Sequence, residues 1–237
     1  MESRVYITGA DRGLGFAFVK KYLSEGYTVF AGRFLEDWDW LCELKDENPS
    51  RLHLIPLDVG DRGSVEKAAE KIAASTSYLD VLINNAGIYY ENVEDVFGDL
   101  NFEAMRKMYE INALGPLKVT SSVIDLLVEG TEKTLVNISS EAGSIGDCWR
   151  KKEYGYTMSK AAVNKQSAVL QNHLQEYGIK VFAIHPGYLR SYMLGEKNME
   201  ADIEPEEAAE GIYKVINSRK NLEGPIYYDY RGQELKW

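Results

Sequence analysis

Tyr156 and Lys160 stand four residues apart in the segment Glu153–Lys160, "EYGYTMSK". A helix turns ~100° per residue, so residues four apart lie about 40° from each other on one face. A free phenol has a pKa of about 10 and is a poor acid at neutral pH. A nearby ammonium favours the phenolate by charge attraction, which makes the phenol a better proton donor. Tyr154, six residues before Lys160, falls on a different face. Tyr156 is therefore expected to be the acid, and Tyr154 a pocket wall or a packing residue. The bland alternative is an incidental pair on a helix surface.

A second constellation opens the chain. "TGADRGLG", Thr8–Gly15, follows an apolar run and precedes an amphipathic one. Gly9 permits a tight turn. Gly13 and Gly15 let backbone approach a ligand, and a helix N-terminus offers N–H groups and a positive dipole end to a pyrophosphate. The spacing differs from the G-x-G-x-x-G order of the commonest dinucleotide turn. An acid at the end of the second strand would grip the two ribose hydroxyls of NAD. Gly32 stands there instead, followed by Arg33. A guanidinium binds a 2′-phosphate that a carboxylate would repel, and Arg12 adds a second positive group. The reading favours NADP(H) over NAD(H), with both arginines as solvated surface charges the alternative.

The elements that must position these residues alternate. Strand-like runs fall at 4–8, 27–31, 52–57, 80–84, 134–139, 180–185 and 225–229. Helix-like runs lie near 14–25, 36–47, 61–75, 101–129, 155–176 and 205–218, with Asp61 as an N-cap and Pro205 in a first turn. Several strands are apolar at successive positions, as strands covered on both faces are. Such alternation predicts parallel strands joined by right-handed crossovers. The expected fold is α/β: a single Rossmann-type, doubly wound sheet of about seven strands spanning 1–237, with functional residues just after the strands.

Bulk properties narrow the function classes. The net charge of −10 leaves no uniform basic surface, so nucleic acid is not an expected partner. Cys42 and Cys148 make no Cys-x-x-Cys pattern, and His53, His173 and His185 are scattered, so no metal site is expected. No stretch reads as a membrane span and the start carries no basic leader, so a soluble, cytoplasmic protein in a reducing compartment is expected.

Taken in order, "TGADRGLG", "LDV" (57–59), "NNAG" (84–87), Asn112 in "YEINALGPL", "VNISS" (136–140), "YTMSK" (156–160) and "HPG" (185–187) resemble the short-chain dehydrogenase/reductase family over nearly the whole chain. Within it the chain looks most similar to compact NADPH-dependent carbonyl reductases of the sniffer and C-factor type. The pointers include "GDL", "GPL", the "YGYTMSKAAVN" helix start and the final "YDYRGQELKW". The resemblance implies a catalytic tetrad of Asn112, Ser140, Tyr156 and Lys160. Lys160 would also hold the nicotinamide ribose, and Asn112 would anchor a water linking Lys160 to solvent. Gly9, Arg12, Gly13, Leu14 and Gly15 would carry the dinucleotide phosphates. Asp58 would accept from the adenine amino group beside Val59, and Asn85, Ala86 and Gly87 would lie along the adenosine and ribose. Pro186, Gly187 and Leu189 would line the nicotinamide, and Ser191 would bond its amide. The family also implies association through the helices at 101–129 and 155–176 as a homodimer or homotetramer, a monomer being the alternative.

Two points stay open. Ser140 lies sixteen residues before Tyr156, a long spacing, and Ser144 at twelve is its rival; the "ISS" context directly after a strand favours Ser140. Residues 145–153 are expected to loop over the site. Tyr89, Tyr90, Trp149, Tyr188, Tyr192 and Met193 are candidates for an aromatic wall. The short segment 192–204 suggests an open site for small aldehydes, ketones or dicarbonyls. The expected activity is hydride transfer between NADP(H) and such a carbonyl or alcohol. The alternatives are a cofactor-binding signalling module of C-factor type and an NAD-linked alcohol dehydrogenase.

Overall fold

In the computed structural model, residues 2–35, 38–90, 95–219, 223–224 and 226–237 are described. Seven strands, β1 (Arg4–Ile7), β2 (Thr28–Arg33), β3 (Leu52–Pro56), β4 (Val81–Asn84), β5 (Thr134–Ile138), β6 (Lys180–His185) and β7 (Tyr227–Asp229), form one sheet in the order β3-β2-β1-β4-β5-β6-β7. Every pairing is parallel. The strand order reverses between β1 and β4, and the glycine turn and the "NNAG" segment follow these two strands. That is the crevice where doubly wound sheets take ligands.

Period-two alternation divides the core. Val5 and Ile7 of β1, with Val136, Phe182 and Ile184, pack on one face with α1 (Gly13–Ser24), α2 (Trp40–Glu47) and α7 (Pro205–Arg219). Tyr6, Leu82, Leu135 and Val181 face the other way, toward α3 (Arg62–Ala73), α5 (Gly115–Val128) and α6 (Tyr154–Leu174). Asp61 caps α3 as expected, accepting from Ser64 N at 3.0 Å.

Three expectations are corrected. The helix expected at 36–47 begins at Trp40; Glu36 and Asp37 lie outside the described residues, as does Pro225 of the seventh strand. The single helix expected at 101–129 is two, α4 (Phe102–Tyr109) and α5, joined by a π-helical turn at Glu110–Leu114. That run is also long and apolar enough by composition to cross a membrane, with mean hydropathy 1.3, where none was expected. Half of it is buried inside the protein, with Val119, Val123 and Leu127 in the core, so the apolarity serves packing.

The turn after β1 is braced by β4. Thr8 Oγ1 accepts from Asn85 N and Ala86 N, both at 3.0 Å, while Asn85 Nδ2 donates to Thr8 O and Gly9 O at 3.0 Å. Thr8→Val keeps the shape but leaves two amide donors unpaired. The expected loss is ~1–3 kcal/mol of unfolding free energy, read by urea denaturation. An unchanged midpoint would show that the brace contributes nothing.

Candidate active site

A cleft of about 490 Å³ runs from the glycine turn to the start of α6. Gly9, Arg12, Gly13, Leu14 and Gly15 line its first end, and Asp58 and Val59 a side wall. Asn85, Ala86 and Gly87 form its floor; Pro186, Leu189 and Ser191 close it opposite, and Tyr156 and Lys160 stand at the far end. Gly13 has φ +55°, a backbone that favours glycine, although a Cβ there would make only ordinary contact with Ser191 at 3.6 Å. Gly15 admits no side chain at all, because a Cβ would meet Gly9 O at 2.0 Å. These residues fit a dinucleotide: bare backbone N–H groups at the N-terminus of α1, beside an open channel.

Four predicted residues lie off the lining. Gly187, at φ +86°, turns the chain where a Cβ would strike Ile203 at 2.4 Å. Asn112 and Ser140 stand just behind the lysine and tyrosine. Arg33 is directed elsewhere: its Nε donates to Leu35 O at 3.1 Å and its Nη1 to Cys42 Sγ at 3.5 Å. Arg12 lines the cleft, its guanidinium 5.1 Å above the Trp38 ring. Sequence reading passed over Asp11, whose carboxylate accepts from Phe34 N and Leu35 N at 3.1 Å and so ties the glycine turn to the end of β2. An acid inside a glycine turn was the available signal.

Lys160 is buried, and its Nζ donates to Ile138 O at 2.9 Å, just before the serine pair. Burial pulls its pKa down to about 8. Its ammonium lies 5.7 Å from the centre of the Tyr156 ring. Tyr156 is pushed up to about 12, by burial first; the nearby Ser140 hydroxyl and the Arg150 charge pull it back. The direction is opposite to the one the tyrosine–lysine spacing predicts. Desolvation acts on both groups and outweighs their attraction. Tyr156 is thus held protonated, as a donor must be.

The two serines differ in their contacts. Ser140 Oγ accepts from Ala142 N at 3.2 Å and lies near enough to Tyr156 to lower its pKa. Ser144 Oγ instead donates to Lys236 O at 2.7 Å. Asn112 sits in the π-helical turn. Its Oδ1 accepts from Ile88 N at 2.8 Å, and its Nδ2 donates to Ile88 O at 2.9 Å and Ser159 Oγ at 3.1 Å. Ser159 in turn bonds Tyr156 O, so the turn, the chain after β4 and α6 are tied together. The bare Cα of Gly87 leaves a gap whose Cβ position is 3.3 Å from Asn112 Oδ1 and 3.9 Å from Lys160 Nζ.

Residues 145–153 form a loop, as expected, though none of them lines the cleft; Arg150 is paired to Glu141 and Glu153. Glu153 precedes α6 at φ +68° and also accepts from Tyr89 OH at 2.9 Å; the Tyr89 ring meets Tyr156 edge-on at 5.1 Å. The aromatic wall is only partly assembled. Tyr90, Tyr192 and Met193 line the cleft, whereas Trp149 and Tyr188 are exposed outside its lining. Tyr192 packs on Trp38 and Trp40, at 4.9 and 5.8 Å, near the glycine turn. Tyr154 carries no part of the phenol–lysine pair and opens α6.

A doubly wound sheet with a glycine turn at its switch point and a serine–tyrosine–lysine group at the same crevice defines an oxidoreductase of the Rossmann class. Residues 3–202 match the family model described as short chain dehydrogenase, and the chain belongs to that family. Its fold is similar to that of an NADPH-bound carbonyl reductase from chicken fatty liver, with 28% identity, all of both chains covered and a TM-score of 0.89. It is equally similar to the carbonyl reductase Sniffer of Drosophila melanogaster, with 25% identity over all of both chains and a TM-score of 0.89. Among curated sequences it is 32% identical to the C-signal protein of Myxococcus xanthus, over 68% of this chain and 95% of that one.

The lysine pKa has a consequence for stability. Its folded value, about 8, lies below the ordinary 10.5, so the burial penalty is complete below pH 8 and fades as pH rises toward 10.5. Lys160→Met should raise stability near pH 7, by at most about 3 kcal/mol, with the gain shrinking to nothing by pH 10.5. Thermal unfolding of both proteins across that range checks it; a gain independent of pH would refute the assignment.

Proposed function

We propose that this protein is an NADP(H)-dependent carbonyl reductase acting on small aldehydes, ketones or dicarbonyls. The observation that carries the reading is the placement of Tyr156 and Lys160 together at the end of a cleft that begins at the glycine turn, with the ammonium 5.7 Å from the phenol ring. A nicotinamide bound there supplies the hydride. The chain's own residues handle the oxygen. Ser140 and Tyr156 present two hydroxyls to one carbonyl oxygen, where negative charge develops. An alkoxide is more basic than a phenolate, so even a tyrosine with a pKa near 12 gives up its proton to it. Lys160 then stabilises the phenolate left behind. The gap at Gly87, between Asn112 Oδ1 and Lys160 Nζ, suits a water that returns the proton.

NADP(H) rather than NAD(H) is supported by Arg12 on the cleft wall and by the NADPH of the chicken enzyme. Since Arg33 bonds Leu35 O and Cys42, Arg12 is the stronger candidate for the 2′-phosphate. Association as a homodimer or homotetramer is supported by Phe102, Tyr109, Leu117 and Met158, which are exposed on α4–α6; a single-chain mass by light scattering would refute it. The likeness to C-signal favours a second reading, a cofactor-binding signalling module, in which turnover is dispensable.

The test is NADPH oxidation, followed by absorbance across a carbonyl panel. Tyr156→Phe should lower kcat at least a thousandfold with cofactor binding retained, and Tyr154→Phe should alter substrate preference at most. Arg12→Ala should weaken NADPH at least tenfold and NADH little, with a smaller effect from Arg33→Ala. Wild-type protein inert across the panel, or Tyr156→Phe fully active, would overturn the reading.

A further inference from the structure

The final segment Tyr227–Trp237 takes no part in the chemistry above, yet its first residue reaches Ser140. β7 lies beside β6, with Tyr227 in register with Ala183. After β7 the chain reverses: Gly232, at φ +86°, donates to Asp229 O at 3.0 Å, and Leu235 N donates back to Tyr227 O at 3.0 Å. The reversal brings Lys236 and Trp237 against the loop that follows Ser140. Ser144 Oγ donates to Lys236 O at 2.7 Å and Gly146 N to Trp237 O at 2.6 Å. Lys236 Nζ pairs with Asp147 at 2.8 Å. The Trp237 ring stacks on the Tyr227 ring, with centroids 5.1 Å apart and planes 27° from parallel. Beneath that stack, Tyr227 OH donates to the backbone carbonyl of Ser140 at 2.6 Å.

Ser140 therefore has two phenols on it. Tyr156 lies near its hydroxyl, and Tyr227 holds its carbonyl. Tyr227 is suited to that work. Burial pushes its pKa up to about 12, so it stays a hydrogen-bond donor throughout the neutral range. The carbonyl it holds also accepts from Gly143 N at 3.0 Å, closing the short turn Glu141–Gly143.

We propose that Tyr227 is a positioning residue for Ser140, and that residues 236–237, stacked and bonded over it, are a strap that fixes the active-site loop. This rests on the tetrad reading of the preceding subsection. The strap acts on turnover and not on dinucleotide capture, because none of its residues lines the cleft.

Tyr227→Phe removes one hydrogen bond and keeps the ring stack. With NADPH and the best carbonyl of the panel, kcat should fall roughly tenfold, through loss of donor placement. The NADPH Kd, by fluorescence titration, should stay within twofold. In a Ser140→Ala background the same substitution should cost nothing further. A kcat within twofold of wild type, or additive losses in the double variant, would overturn the proposal. Hydrogen exchange of the protein without substrate gives an arm independent of turnover: the Gly143, Ser144 and Gly146 amides should exchange faster in Tyr227→Phe. If wild type is inert, the functional reading fails while this arm still decides the strap; unchanged exchange overturns it. Should Tyr227→Phe not fold, Ser144→Ala, which cuts the strap at Lys236, is read in the same way.

Discussion

A lysine ammonium is held inside this protein with a backbone carbonyl as its hydrogen-bond partner. Among the described residues no carboxylate pairs with Lys160; Ile138 O and the ring of Tyr156 are its neighbours. Burying a charge with so little compensation is costly, and the cost appears as the fall of its pKa to about 8. Much of the surrounding structure serves to keep that ammonium in place. The end of β5 supplies the carbonyl, α6 supplies the stem, and the bare Gly87 leaves room above the charge. An ammonium easily satisfied by a nearby acid would be a weak partner for a phenolate; one left wanting is a strong one.

Both ends of the cleft are tied by side chains. At the glycine turn, the Thr8 and Asn85 side chains bond main-chain groups 77 residues apart, and Asp11 ties down the chain after β2. At the catalytic end, side chains bridge segments far apart in sequence. Asn112 joins Ile88 to Ser159, and Tyr227 reaches Ser140. A rigid first end suits a ligand common to a whole family. A second end assembled from loops leaves the substrate-facing residues freer to vary.

What the sequence made legible follows from the range of the interactions. Strand and helix alternation is local, and all seven strands lie close to their expected places. The Tyr156–Lys160 spacing and the glycine turn are local too, and both stand on the cleft. The direction of the Tyr156 pKa was not legible, because it is set by burial, which no spacing reports. The path of Arg33 depends on Leu35 and Cys42 accepting it, an outcome that charge alone does not foretell. The context after β5 favours Ser140 over Ser144 in the sequence; that Ser144 is taken up by Lys236, 92 residues on, is not legible there. The contact of Tyr227 with Ser140 spans 87 residues and leaves no local trace.

The π-helical turn at Glu110–Leu114 makes one long apolar run serve two neighbours. A residue added to a helix rotates everything beyond it by about 100°. Before the turn, α4 packs along α6; after it, α5 packs along α3 and the sheet. The wider turn is thus a change of phase between two helical faces, set at the residue whose carboxamide spans the crevice. The joint lets α5 face the core while α4 faces the helix that carries Tyr156 and Lys160. The sequence of the helix interior and the chemistry of the site are, to that extent, separately adjustable.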